Sequence, residues 1–199
     1  MMLLYDSAVS GTCWKVRQLL THLGIAFERQ EVDVVRREGR FELLGELNPA
    51  LRVPTLVLED GRALGESGAI LTYLAEDTPY LPEDRFLRAQ TMQWLFFEQY
   101  SHEPHIAVVR FWVAFSESPP PQAEIEARRD AGYVALAAME RHLTGRAFLV
   151  AEEYTIADIA LYAYTHVAHE GGFDLSPYPA IRSWLERVAS QPGHIAITA

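Results

Sequence analysis

Pro54-Thr55-Leu56-Val57-Leu58-Glu59-Asp60-Gly61-Arg62-Ala63-Leu64 is the segment from which the architecture unfolds. Two short apolar runs flank Glu59-Asp60-Gly61, the pattern of strand, tight turn and antiparallel strand. Upstream, Leu3-Leu4-Tyr5 is a short apolar run followed by a Ser- and Gly-containing loop, Asp6 to Thr12. Val16, Leu19, Leu20 and Leu23 then recur at i, i+3, i+4, i+7, one buried helix face, and Gly24 stands where a left-handed C-cap belongs. Phe27 to Val34 alternates as a second strand, and Phe41 to Leu47 is a weaker helical segment stopped at Asn48-Pro49. Downstream of the hairpin, Ile70, Leu71, Tyr73 and Leu74 mark a helix beginning near Glu66. The order is β-α-β-α-β-β-α. A crossover helix makes the first two strands parallel, and the closing hairpin is antiparallel.

Beyond this α/β unit only helical patterns occur. Asp77 to Asp84, with Pro79 and Pro82, reads as a linker. Leu87 to Phe115 is long and aromatic-rich, Pro119-Pro120-Pro121 breaks it, and Gln122 to Leu143 is the returning helix. Thr155 to His166 has helical apolar spacing, and Trp184, Leu185 and Val188 mark a last helix after Pro177 and Pro179. Two domains are expected, an α/β unit over residues 1–76 and an all-helical unit over residues 83–199.

The chain has 199 residues, 49% hydrophobic and 22% charged, the balance of a soluble globular protein with ample core. Its 27 acidic and 17 basic residues give a net charge of −10. Such a surface repels phosphate backbones and anionic lipid, so neither nucleic acid nor membrane is expected as the main partner, although a local basic patch could still take a small anion. The single cysteine, Cys13, excludes an internal disulfide and a structural zinc site. The opening Met1-Met2-Leu3-Leu4-Tyr5 lacks a signal-peptide pattern, and no apolar run reaches membrane-spanning length; a cytoplasmic location is expected.

Three segments could carry chemistry. Ser10-Gly11-Thr12-Cys13-Trp14-Lys15-Val16 opens the first helix. A helix N-terminus offers unpaired N–H groups and partial positive charge to an anion such as a thiolate, and Ser10 could set a hydroxyl beside it. The plainer reading makes Ser10 or Thr12 an N-cap and Cys13 a small core residue. In Asn48-Pro49-Ala50-Leu51-Arg52-Val53-Pro54, a cis bond at Pro54 would let Val53 offer its own N–H and C=O to an extended peptide. In Gly65-Glu66-Ser67-Gly68, the helix amides and Ser67 suit an α-carboxylate while Glu66 suits an ammonium; equally, this is a capped helix start. His102-Glu103-Pro104-His105 lacks a third ligand, so no metal is expected, and Thr155-Ile156-Ala157-Asp158 reads as a structural capping box with Asp in place of Glu.

Taken together and in this order, these motifs resemble the soluble glutathione transferases over nearly the whole chain. The loop at Ser10 resembles the Ser-type active-site loop, Asn48-Pro49, Val53-Pro54 and Glu66-Ser67-Gly68-Ala69-Ile70 resemble the family's glutathione-site signatures, and Thr155-Ile156-Ala157-Asp158 its helix-capping motif. Thr12 departs from the pattern, because many bacterial relatives carry Asn there. No tyrosine matches the catalytic tyrosine of other classes, and Tyr5 is assigned to the core.

The resemblance implies a thioredoxin-like α/β domain plus an all-α domain, with glutathione as co-substrate and no tightly bound cofactor. It implies Ser10 as the catalytic residue and Ser10, Thr12, Arg52, Val53, Pro54, Glu66 and Ser67 as glutathione-binding, with Val53–Pro54 cis. A small hydrophobic electrophile is expected on the helical domain near Tyr100 and Trp112. A homodimer is also implied, and the segment Arg85 to Phe115 carries apolar residues, Trp94 and Phe97 among them, on more than one face. The alternatives are glutathione-dependent disulfide or peroxide reduction, and a non-catalytic module that carries glutathione conjugates.

Overall fold

The computed structural model describes residues 1–199, which divide into two compact units, 1–76 with 192–199, and 77–191. In the first unit the strands are β1 (Met2–Asp6), β2 (Phe27–Glu31), β3 (Thr55–Val57) and β4 (Ala63–Leu64), in the order β2-β1-β3-β4. β1 and β2 are parallel, and β3 runs antiparallel to both β1 and β4, as the crossover and hairpin require. β2 is shorter than its alternating pattern suggested and lies at the sheet edge, its charged residues exposed.

The helices of this unit are α1 (Gly11–His22), α2 (Arg40–Leu44) and α3 (Ser67–Ala75). α1 buries Cys13, Trp14, Val16, Leu19 and Leu20. It ends where Gly24 takes φ +64°, allowing the Ile25 amide to fold back onto the Leu20 carbonyl. The weak periodicity of Phe41–Leu47 yields only the five residues of α2, with Phe41 exposed and Leu44 alone buried.

The register explains how distant segments reach one place. Tyr5, near the end of β1, pairs with Thr55 at the start of β3, and Leu56 pairs with Leu64 at the end of β4. The loop after β1, the loop before β3 and the segment after β4 therefore all leave the same end of the sheet.

The second unit holds α4 (Arg85–Phe97), α5 (Glu103–Ala114), α6 (Gln122–Leu143), α7 (Ile156–Thr165) and α8 (Pro179–Ala189). The long helix expected over 87–115 is divided by a π-helical turn at Glu98–His102. Pro104 supplies the reason: it has no N–H for the preceding turn, and the hydrogen-bond ladder widens there. Every residue of α7 is buried, so it is the core of this unit. Its capping box forms as expected: Asp158 Oδ2 accepts from the Thr155 amide and hydroxyl at 3.0 and 3.2 Å. Asp158 Oδ1 accepts from Leu149 N–H at 3.0 Å and Trp184 Nε1–H at 2.9 Å, tying α7 to the preceding loop and to α8. Burial raises this carboxyl to about 6 against those four donors.

One boundary is corrected. The helical unit, expected to run to residue 199, ends at Gln191, and 192–199 pack with the first unit. The side chains of α1 hold them: Trp14 Nε1–H donates to the Ile195 carbonyl and Gln18 Nε2–H to the Gly193 carbonyl, each at 3.0 Å.

Candidate functional site

At the head of α1, Ser10 is the N-cap, and its Oγ accepts from the Cys13 amide at 3.4 Å. The Ser10 and Thr12 hydroxyls lie 2.7 Å apart, and either can donate to the other. Both residues are half-buried, and no acidic residue occupies the first turn to cancel its positive end. Cys13 is fully buried, and desolvation, aided by the nearby Asp6 charge, pushes its thiol up to about 12. A thiol in that state is a packing group rather than a nucleophile.

Before β3, the Val53–Pro54 bond is cis. Pro54 is buried, whereas Val53 is half-buried and its backbone groups make no hydrogen bond within the protein. Asn48 shapes this loop. Its Nδ2 donates to the Arg52 carbonyl at 3.1 Å and to Thr55 Oγ1 at 2.9 Å, and its Oδ1 accepts from the Ala50 amide at 3.0 Å. Leu51 takes a left-handed φ of 53° between these ties.

At the head of α3, Glu66 is exposed with φ 63°, a left-handed value uncommon for a residue with a Cβ. Ser67 is buried, and its Oγ accepts from Lys15 Nζ at 3.4 Å. That contact joins the heads of α1 and α3.

Arg52, exposed in the Val53 loop, lies near Arg40, as does Arg37. Burial and the charges of Arg37 and Arg52 lower the Arg40 pKa, placing a local basic cluster on a strongly acidic chain. Arg40 also holds neighbouring loops by donating to the carbonyls of Asp33, Val34 and Leu51. Sequence reasoning missed Arg40 and the structural part played by Lys15. Arg36-Arg37 and Arg40 in one short stretch was the signal available.

In the helical unit, Tyr100 is 86% exposed and lines a groove of about 580 Å³ with Gln99, Ser101, Pro104, His105 and residues of α6. Trp112 does not line it. The indole lies beneath Arg128, 4.9 Å from guanidinium carbon to ring centre, and Arg128 also donates to the Pro104 carbonyl at 2.7 Å. A cation–π partner thus claims the ring expected beside Tyr100. His102 is buried with Nε2 2.8 Å from Thr165 Oγ1, and no three His, Cys, Asp or Glu side chains assemble into a metal-holding group.

A thioredoxin-like sheet presenting two helix N-termini and a cis-Pro loop at one end, followed by an all-helical unit, defines a class of glutathione-dependent proteins. Residues 4–83 match the glutathione S-transferase N-terminal domain and residues 94–192 the glutathione S-transferase C-terminal domain, and the chain belongs to that family. It is similar to a glutathione S-transferase from Pseudomonas fluorescens [Pf-5] of known crystal structure, with 46% identity, a TM-score of 0.95, and 100% and 99% of the two chains covered. It is also 31% identical to a probable maleylacetoacetate isomerase of Caenorhabditis elegans, over 97% of this chain and 91% of the other. Likewise it is 31% identical to the disulfide-bond oxidoreductase YfcG of Escherichia coli (strain K12), over 73% of this chain and 71% of the other.

Proposed function

We propose that this protein activates glutathione as its thiolate and conjugates it to a small hydrophobic electrophile. The observation that carries this reading is the Ser10–Thr12 hydroxyl pair at the positive end of α1, whose first turn holds no acidic residue, beside a cysteine too buried to compete. A free thiol has a pKa near 8.5, and lowering it by about two units takes about 2.7 kcal/mol. A hydroxyl hydrogen bond to an anion supplies about 1.5–3 kcal/mol and the helix terminus about 0.3–1 kcal/mol more. In conjugation the sulfur lone pair forms the S–C bond, and the leaving group departs with its electron pair.

The rest of the tripeptide follows the three segments. Val53 N–H and C=O pair with the cysteinyl backbone as an added strand would, with Pro54 fixing the bend. Ser67 and the first amides of α3 receive the γ-glutamyl carboxylate, and Glu66 its ammonium. Arg52, with Arg40 behind it, takes the glycyl carboxylate. The electrophile is assigned to the helical unit at the groove lined by Tyr100, Pro104 and His105. The active form is a homodimer in the cytoplasm, a setting that suits a lone cysteine kept as thiol.

The likeness to a disulfide-bond oxidoreductase favours one second reading, glutathione-dependent disulfide reduction. It would begin from the same thiolate, with glutathione rather than Cys13 forming the mixed disulfide.

The test is Ser10→Ala, followed by thiolate absorbance of bound glutathione against pH and by conjugation rate. The thiol pKa should rise and the rate should fall by about one to three decades, about 1.4–4 kcal/mol. Thr12→Ala, which removes the other hydroxyl, should have the smaller effect. An unchanged titration in Ser10→Ala overturns the assignment.

A further inference from the structure

The segment Pro192–Ala199 is fastened to the first unit by side chains of α1 and β2. Trp14 Nε1–H donates to the Ile195 carbonyl at 3.0 Å. Gln18 uses both ends of its amide, accepting from the Ile195 amide at 2.9 Å and donating to the Gly193 carbonyl at 3.0 Å. Arg17 donates from Nη2 to the Ile197 carbonyl, and Arg29 from Nη1 to the Ala199 carbonyl at 2.8 Å. Trp14, Arg17 and Gln18 form one turn of α1 and are essentially fully buried. A one-residue slip would break every tie, so the segment has a fixed register.

The same Arg17 guanidinium holds the turn that presents Ser10. Nη1 donates to the Asp6 carboxylate and, at 3.3 Å, to the Ser7 carbonyl; Nη2 also reaches the Ala8 carbonyl at 3.5 Å. The Ser7 carbonyl accepts the Ser10 amide at 3.0 Å, closing that turn. Asp6 is wholly buried and shares its second oxygen with Arg29 Nε at 2.6 Å. One buried cation therefore touches the tail on one side and the Ser7–Ser10 turn on the other.

We propose that Arg17 is a positioning residue for Ser10 and that the 192–199 segment sets its position. Without the Ile197 carbonyl, Nη2 keeps only the long contact to Ala8, and a buried donor so poorly matched draws in water or swings away. Either movement loosens the carbonyl that holds Ser10. Small misplacements of a reacting group have large rate costs. The proposal rests on the reading of Ser10 as the thiolate's hydrogen-bond donor, and it adds the tail to the machinery that aims that hydroxyl.

The experiment compares the full chain with a form lacking 195–199 and with Arg17→Lys, which keeps the charge but cannot fork between tail and turn. Circular dichroism establishes that each is folded. Each should raise the pKa of the bound glutathione thiol by about half to one unit. Each should also lower kcat about five- to twenty-fold, with the glutathione KM within twofold because the Val53 and Ser67 segments are untouched. In a Ser10→Ala background neither change should slow the reaction further. Should the truncated chain not fold, Trp14→Phe, which removes the tie to Ile195 while keeping an apolar ring in that buried position, takes its place. A folded variant set with the parent thiol pKa and kcat overturns the proposal. So do losses of equal size in the Ser10→Ala background, which would mark a general structural effect. If Ser10→Ala alone leaves the thiol pKa unchanged, the thiolate reading falls and this proposal with it. If Ser10→Ala acts and the tail changes do not, only this proposal falls.

Discussion

Gly65 lies against Asn48 so closely that a Cβ at residue 65 would come within 2.8 Å of Asn48 Nδ2 and 3.2 Å of its Cγ. The Asn48 amide cannot simply turn aside, because it holds the Arg52 carbonyl and Thr55 Oγ1. The contact therefore couples the segment leading into α3 to the loop carrying Val53 and Pro54. Gly65→Ala should cost about 1–3 kcal/mol through overpacking. It should also raise the glutathione KM by more than it lowers kcat, since it moves contacts made equally in ground and transition states. Steady-state kinetics at varied glutathione, beside a denaturation curve, checks both; an unchanged KM would remove the coupling.

Cys13 should be inert in the native protein. Its burial and its thiol held near 12 leave almost no thiolate at neutral pH. A thiol reagent should label it only as fast as the protein opens, and Cys13→Ala should leave kcat within about twofold while costing roughly 1 kcal/mol or less of packing. Rapid labelling of folded protein would contradict the assignment of Cys13 to the core.

How far the sequence led depends on the range over which each feature is determined. The capping box at Thr155 and Asp158 was legible because both partners sit within one turn. The same holds for Gly24 closing α1 and for the hairpin about Asp60-Gly61, which local chemistry fixes. Pro104 was visible, but its consequence was not, since a proline near a helix start can kink, break or widen the ladder, and packing selects the outcome. The Asn48 bonds were out of reach because they depend on a loop closing on itself. Least legible was the tail: Arg17 meets Ile197 across 180 positions, and nothing in Ile195-Ala196-Ile197 marks its partner. In the helical unit, the Arg128 partner of Trp112 was out of reach for the same reason, since it lies on another helix.

Stability should carry a signature of Asp158. Burial raises its folded-state pKa from 3.8 to about 6, so between these values the folded chain holds the proton more tightly than the unfolded chain. Its contribution is fully present below about pH 4 and is lost as pH rises through about 6. A shift of about two units corresponds to roughly 3 kcal/mol. Asp158→Asn removes the titration and sets an NH2 against donors from Thr155, Leu149 or Trp184. At neutral pH the variant should be less stable by about 1–3 kcal/mol, and the difference in its urea midpoint from the parent should change between pH 4 and 6. Parallel curves for the two proteins across that range would show that Asp158 does not titrate there.

The homodimer proposed above needs an apolar surface, and the aromatics of α4 divide on this point. Trp94 is satisfied at home: it is buried, with its ring centre 5.2 Å from Phe97 and 4.6 Å from His142. It is therefore unavailable for an interface. Phe86 and Phe96, 68% and 71% exposed, are the rings of α4 that a partner copy would cover. A two-fold contact would use that surface twice and bury well over about 1,000 Å² if stable. Sedimentation at micromolar concentration should give one species near twice 22.5 kDa. Phe96→Glu should shift it toward the single-chain mass, because an unpaired carboxylate in an apolar contact is strongly unfavourable. The variant should remain folded, since the ring it replaces is mostly in solvent. A parent protein that sediments near 22.5 kDa is a monomer, and Phe86 and Phe96 are then surface residues of a single chain.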